Sequence, residues 1–145
     1  MTEQARNLER IFPITGSDFI SAGEAASKTK KILNQIGLDS GKIRKIAVAA
    51  YEAEMNIVIH AYEGELKLYI DENMVKVTAD DRGPGIVDLN LAMQEGYSTA
   101  PEQARQMGFG AGMGLPNMKR CADIFDIHSV IGAGTTVTMC FYLKD

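Results

Sequence analysis

Glycine recurs at every second position from Gly108 to Gly114, and Leu115-Pro116 follows directly. No other stretch restricts the fold as much. Alternating glycines present no side chains for a strand to pack, and each costs a helix about 1 kcal/mol relative to alanine. Pro116 suits the first turn of a helix. The segment therefore predicts a loop that runs into a helix. Backbone N–H groups bared by such a loop, with a helix N-terminus behind them, suit an anion or a phosphate. A merely flexible connector is the other reading. The commoner phosphate motifs are missing: there is no G-x-x-x-x-G-K-[ST], and G-x-G-x-x-G fails at Met113, the third residue after Gly110.

The rest of the chain surrounds this loop with regular elements. Leu8 to Ile14 reads as a strand, and Pro13 predicts that it lies at an edge. Ser17-Asp18 is placed to cap a helix carrying Ala22, Ala25, Ala26, Ile32, Leu33 and Ile36, which Gly37 ends. Asp39 or Ser40 caps a longer helix whose buried stripe is Ile43, Ile46, Ala47, Ala50, Ala53 and Ile57. Strands at Leu66 to Ile70 and Met74 to Ala79 flank Asp71-Glu72-Asn73 as a hairpin. A turn spans Asp80 to Gly85, a short helix Asp88 to Gln94, and a long loop Glu95 to Gly112. The helix opening at Gly114 is expected to reach about Phe125. A closing hairpin, Ile127 to Ile131 and Thr135 to Leu143, turns at Gly132-Ala133-Gly134. This order predicts an α/β two-layer sandwich: a mixed, largely antiparallel sheet with helices on one face. At roughly 100–200 residues per domain, the 145 residues are expected to form one domain, 1–145.

Two further clusters carry chemistry. Glu52, Asn56 and His60 recur every four residues, so they line up on one flank of the long helix, away from its apolar stripe. They are either a solvated polar face, or a carboxylate base one turn from an amide that can hold a hard cation through its oxygen. Asp81 continues the face of Val75, Val77 and Ala79 by period two, so a carboxylate points where core residues point. It needs partners there. They are either the N–H groups of its own turn or a ligand donor such as an exocyclic amine. Gly83 and Gly85 favour the ligand, because they let a flat ring approach the backbone.

Composition narrows the classes. Fifteen Lys and Arg against nineteen Asp and Glu give a net charge of −4, which disfavours nucleic acid as a partner. Cys121 and Cys140 have no C-x-x-C spacing and read as small buried hydrophobes. His60 and His128 lie far apart, so a histidine metal site is not expected. No apolar stretch resembles a signal peptide or approaches the roughly 18 residues of a membrane span, and a cytoplasmic location is expected.

Together the clusters resemble the nucleotide-binding boxes of the gyrase/Hsp90/histidine-kinase/MutL ATPase superfamily. The matches are Glu52-x-x-x-Asn56 running on to His60-Ala61-Tyr62, then Asp81-x-Gly83-x-Gly85, then Gly108-x-Gly110-x-Gly112-x-Gly114-Leu115, with Gly134-Thr135-Thr136-Val137 similar to the closing strand. They fall in the superfamily's order over nearly the whole chain. The length leaves no room for the large members' transducer domains, and no phosphoacceptor helix pair precedes the first box. What remains resembles the anti-sigma regulatory factors and switch-type serine/threonine protein kinases. Glu95-Gly96-Tyr97-Ser98-Thr99 and Gly114-Leu115-Pro116-Asn117-Met118-Lys119-Arg120 look more like the kinase branch.

The resemblance implies a Bergerat-type ATP-binding fold with ATP and Mg²⁺ as cofactors. By it, Glu52 acts as base and Asn56 holds the metal. Asp81 accepts from the adenine amino group, Gly83 and Gly85 give the ring room, and Thr135 backs up the carboxylate. Gly108, Gly110, Gly112 and Gly114 form a lid over the phosphates, lengthened by Ala100-Pro101-Glu102-Gln103-Ala104, with Arg105 either solvated or reaching the terminal phosphate. The implied activity is phosphorylation of a serine or threonine on a STAS-type anti-sigma factor antagonist. The alternatives are a non-enzymatic module that uses nucleotide to sequester a sigma factor or phosphatase, and a detached histidine-kinase catalytic domain.

Overall fold

The computed structural model describes residues 7–94 and 114–144. Five strands, β1 (Leu8–Thr15), β2 (Glu63–Ile70), β3 (Met74–Arg82), β4 (Ile124–Val130) and β5 (Gly134–Tyr142), form one sheet in the order β1-β2-β3-β5-β4. Among the described residues, four helices accompany it: α1 (Glu24–Gln35), α2 (Ser40–His60), α3 (Leu89–Ala92) and α4 (Gly114–Cys121). The expected two-layer sandwich is present. All four ladders are antiparallel, so the sheet is antiparallel throughout rather than mixed. The reason lies in the β1–β2 connection. It contains two helices, and it returns the chain to the end of the sheet it left, where Thr15 pairs with Glu63. Pro13 sits on edge strand β1, as its missing N–H requires.

The layers meet along α2. Leu66 and Leu68 of β2, Val75 and Val77 of β3, and Val137 and Met139 of β5 alternate inward beneath Ile46, Ala50, Ala53 and Ile57. α1 packs along one side of α2 and α4 along another. This three-sided enclosure explains why more than one stripe of α2 is buried. Ala49, Met55 and Val58 are covered as well, while Ala47 is only half-buried.

Several boundaries moved. β2 starts at Glu63, and β3 runs on to Arg82 through its pairing with Glu63. α4 stops at Cys121 instead of reaching Phe125, because β4 begins at Ile124 to pair with Cys140. Ser17-Asp18 does not cap α1. Asp18 accepts from the Ser21 N–H within the preceding turn, and the helix starts after Gly23. Its cap comes from α2: the Glu54 carboxylate accepts from the N–H groups of Gly23 (2.9 Å), Ala25 (3.2 Å) and Ala26 (2.9 Å). An anion placed there satisfies orphan donors and meets the positive end of the helix dipole. Glu54 is only 3% exposed.

Candidate active site

α2 carries the first part of the site. Glu52, Asn56 and His60 are each half-buried on its remaining flank, so they are neither a freely solvated face nor core. The Glu52 carboxylate is held from α4: its Oε2 accepts from Asn117 Nδ2 at 2.7 Å. The Arg120 guanidinium donates in turn to Asn117 Oδ1. α4 can reach α2 because Leu115, Pro116 and Met118 bury its other face. Burial pushes His60 below its ordinary pKa, so it is neutral at pH 7.

The second part is the end of β3. Asp81 lies on the inward face, as period two predicted, opposite Gly64 of β2. Its Oδ1 accepts from the Thr135 N–H at 3.0 Å. Burial is the main reason its carboxyl titrates above the ordinary carboxylate value; Asp80 adds to the rise, while the Thr135 hydrogen bond and Arg82 oppose it. Thr135 therefore supports Asp81 through its main chain. Its hydroxyl lies 2.9 Å from Ser129 Oγ, and that same oxygen accepts from the Ile86 N–H at 2.8 Å. Ser129 thus ties β4 and β5 to the turn after Asp81.

Packing within the chain already requires both glycines of this turn. A Cβ on Gly83 would lie 3.0 Å from Ala61 Cα and 3.4 Å from Asp81 Oδ1. One on Gly85, at φ +80°, would lie 2.5 Å from the Val130 carbonyl oxygen. The space a side chain would need is filled by the chain itself. Gly83 lets the Asp81 turn rest against the end of α2, which brings the two parts of the site together. Gly64 does similar work across the ladder, since its Cβ would lie 3.0 Å from Asp81 Cα.

Gly114 is the first residue of α4, and a Cβ there would meet no described residue within 4 Å. Gly108, Gly110 and Gly112, with Arg105 and the stretch 100–104, lie outside the described residues. Glu54, Asn117, Ser129 and Gly64 were not assigned roles from the sequence. Gly64 lay before the strand expected from Leu66 and falls inside β2 only because that strand starts at Glu63.

The donor set suits a magnesium nucleotide. Asp81, when ionised, only accepts, so it can receive an amine. Asn56 offers one hard oxygen, and Mg²⁺ commonly takes one or two protein ligands and the rest from phosphates and water. Among the described residues, no cluster of three His, Cys, Asp or Glu offers an all-protein metal cage.

Residues 17–141 match the profile described as the histidine kinase-like ATPase domain. The chain belongs to that family. Within it, the chain is 30% identical over 119 residues to the serine/threonine-protein kinase RsbT of Bacillus subtilis, covering 79% of this chain and 84% of the relative. It is 35% identical over 107 residues to the anti-sigma F factor of a Thermoanaerobacter species, covering 70% and 71%. A crystal structure of the RsbU and RsbW domains of a Mycobacterium tuberculosis protein shares the fold, with a TM-score of 0.61 at 20% identity. That match covers 92% of this chain and about a third (32%) of the longer protein. Membership in an ATPase-domain family implies that the domain uses ATP. Among the described residues, no helix is long and apolar enough to cross a membrane.

Proposed function

We infer that this histidine kinase-like ATPase domain is a serine/threonine protein kinase of a partner-switching pathway, transferring the terminal phosphate of ATP to a hydroxyl on a STAS-type antagonist protein. One observation carries the proposal: the half-buried Glu52 carboxylate is anchored on the flank of α2 that also holds Asn56, and the turn after Asp81 packs against Ala61 at the end of that helix. At 1.5 Å per residue, Asn56 lies about 7.5 Å and Glu52 about 13.5 Å along the helix from Ala61, where the Asp81 turn rests. This linear order of Asp81, Asn56 and Glu52 supports reading them as adenine acceptor, metal ligand and base. The names of the RsbT-type and anti-sigma F-type relatives fit the same pathway.

Asp81 would receive the adenine amine, with the Thr135 N–H fixing its other oxygen. Asn56 would hold Mg²⁺, which neutralises phosphate charge when bound. Glu52 takes the proton of the acceptor hydroxyl as that oxygen bonds to phosphorus and ADP departs. Phosphoryl transfer is mostly positioning and charge neutralisation, so this kit suffices. Gly114 and the glycines before it would supply backbone donors to the phosphates.

The anti-sigma F-type relatives favour one second reading, in which the nucleotide-bound chain also sequesters a sigma factor or a phosphatase. A detached histidine-kinase domain would instead leave an acid-labile phosphoamino acid on its acceptor.

ATP binding tests the reading first. A ligand bound to the folded state raises Tm by mass action. Wild type is expected to melt higher with ATP and Mg²⁺, and Asp81→Asn is not, since the amide presents a donor toward the adenine amine. Equal shifts in both would remove Asp81 from the site.

A further inference from the structure

We propose that Asn117 is a positioning residue for phosphate transfer, holding the Glu52 carboxylate in one orientation, and that Arg120 fixes which end of the Asn117 amide faces it. The inference rests on the kinase reading above. A guanidinium only donates, so its bond to Asn117 directs the amide oxygen toward Arg120 and the NH₂ toward Glu52. The 2.7 Å contact with Glu52 Oε2 then pairs the amide NH₂ with a carboxylate while its oxygen meets a guanidinium. A flipped amide would set oxygen against carboxylate at one end and NH₂ against guanidinium at the other.

The placement follows from α4. Asn117 and Arg120 are three residues apart and share a face, while Leu115 and Met118 bury the other side. Glu52 stands on a different element, 65 positions away in sequence, so the contact joins α4 to α2 at the reacting end of the site. With Oε2 occupied, Oε1 is the oxygen presented for a proton. An unanchored glutamate would spread over several rotamers, and a misplacement of about 1 Å can cost a reaction about a hundredfold.

Two measurements test this. The first uses nucleotide-free, ¹⁵N-labelled protein. The side-chain NH₂ resonances of Asn117 are expected to move on Glu52→Ala and again on Arg120→Met. Resonances that stay put in both variants would show that the contacts do not exist in solution and would overturn the proposal.

The second follows transfer from labelled ATP to a STAS-type acceptor protein. Asn117→Ala is expected to lower kcat about tenfold to a hundredfold with KM for ATP within about twofold. It should add no loss in a Glu52→Gln background, because a residue acting through Glu52 has nothing left to position there. Arg120→Met should show a smaller loss of the same kind, and it carries the test if Asn117→Ala does not fold. An unchanged kcat, a loss confined to KM, or an additive loss in the Glu52→Gln background would each overturn the assignment. A wild type that transfers nothing would sink the kinase reading and the positioning role with it. A resonance shift in that case would show the contact alone.

Discussion

Two glutamates stand two positions apart on α2 and meet opposite fates. Glu54 turns into the protein, is 3% exposed, and caps α1 with three backbone N–H bonds. Glu52 turns to the other side, stays half-buried, and takes one amide from α4. Two residues along a helix amount to a rotation of about 200°, which sends the side chains to opposite flanks. One carboxylate is saturated with donors and serves the fold. The other keeps an oxygen in reserve beside Asn56. A carboxylate's role on this helix is thus set by how many donors surround it, not by its charge or its burial alone.

The contrast can be broken most forcefully at Glu54. Glu54→Ala leaves buried donors unpaired and a cavity beside α1, and is expected to cost about 3–5 kcal/mol in urea unfolding. Glu52→Gln should stay within about 0.5–1 kcal/mol of wild type in the same measurement. Equal losses would erase the division between the two flanks.

Asn56→Ala sharpens the functional side. Asn56 packs in no part of the core, so the fold should persist. Titration of ATP with and without Mg²⁺ should show at least about a tenfold loss of the metal-dependent affinity, by analogy with the cost of disturbing a metal's surroundings. An unfolded variant would make the asparagine structural instead.

A smaller effect separates Asp81 from Glu54. Burial raises the Asp81 pKa, so the folded chain binds that proton more tightly than the unfolded chain does. Its contribution to stability is full below the ordinary carboxylate value of 3.8 and declines as pH rises from there through the folded value. Asp81→Asn keeps an acceptor for the Thr135 N–H and removes the charge. Without nucleotide at pH 7 it is expected to melt no lower than wild type, and its Tm should fall less between pH 4 and neutrality, subtracting the change common to both. A clearly lower Tm at pH 7 would make Asp81 a structural carboxylate like Glu54.

Much of this was legible beforehand where the signal was local. The period-two face through Val75, Val77 and Ala79 put Asp81 inward, and its half-buried position bears that out. The four-residue spacing of Glu52, Asn56 and His60 put them on one flank, where they are found together. What could not be read was tertiary. Glu54 looks like any helix-surface glutamate until α1 arrives with its N-terminus. Asn117 was part of a family-like string, but its partner lies 65 residues away. That Gly83 and Gly85 are also needed for packing against Ala61 and Val130 was not legible, because a sequence shows that a glycine leaves space, not what lies beside it. α4 was drawn too long because the apolar residues of β4 continue its pattern.

The central claim is that Glu52 is a base for phosphate transfer, and Glu52→Gln addresses it without disturbing the Asn117 contact, since the amide oxygen still accepts. The measurement is transfer from labelled ATP to a STAS-type antagonist, with ATP binding recorded on the same samples. Wild type is expected to transfer, and the variant to lose about 10²–10⁴-fold in rate with ATP affinity retained. Transfer that survives Glu52→Gln intact would contradict the account, leaving catalysis to positioning and charge alone.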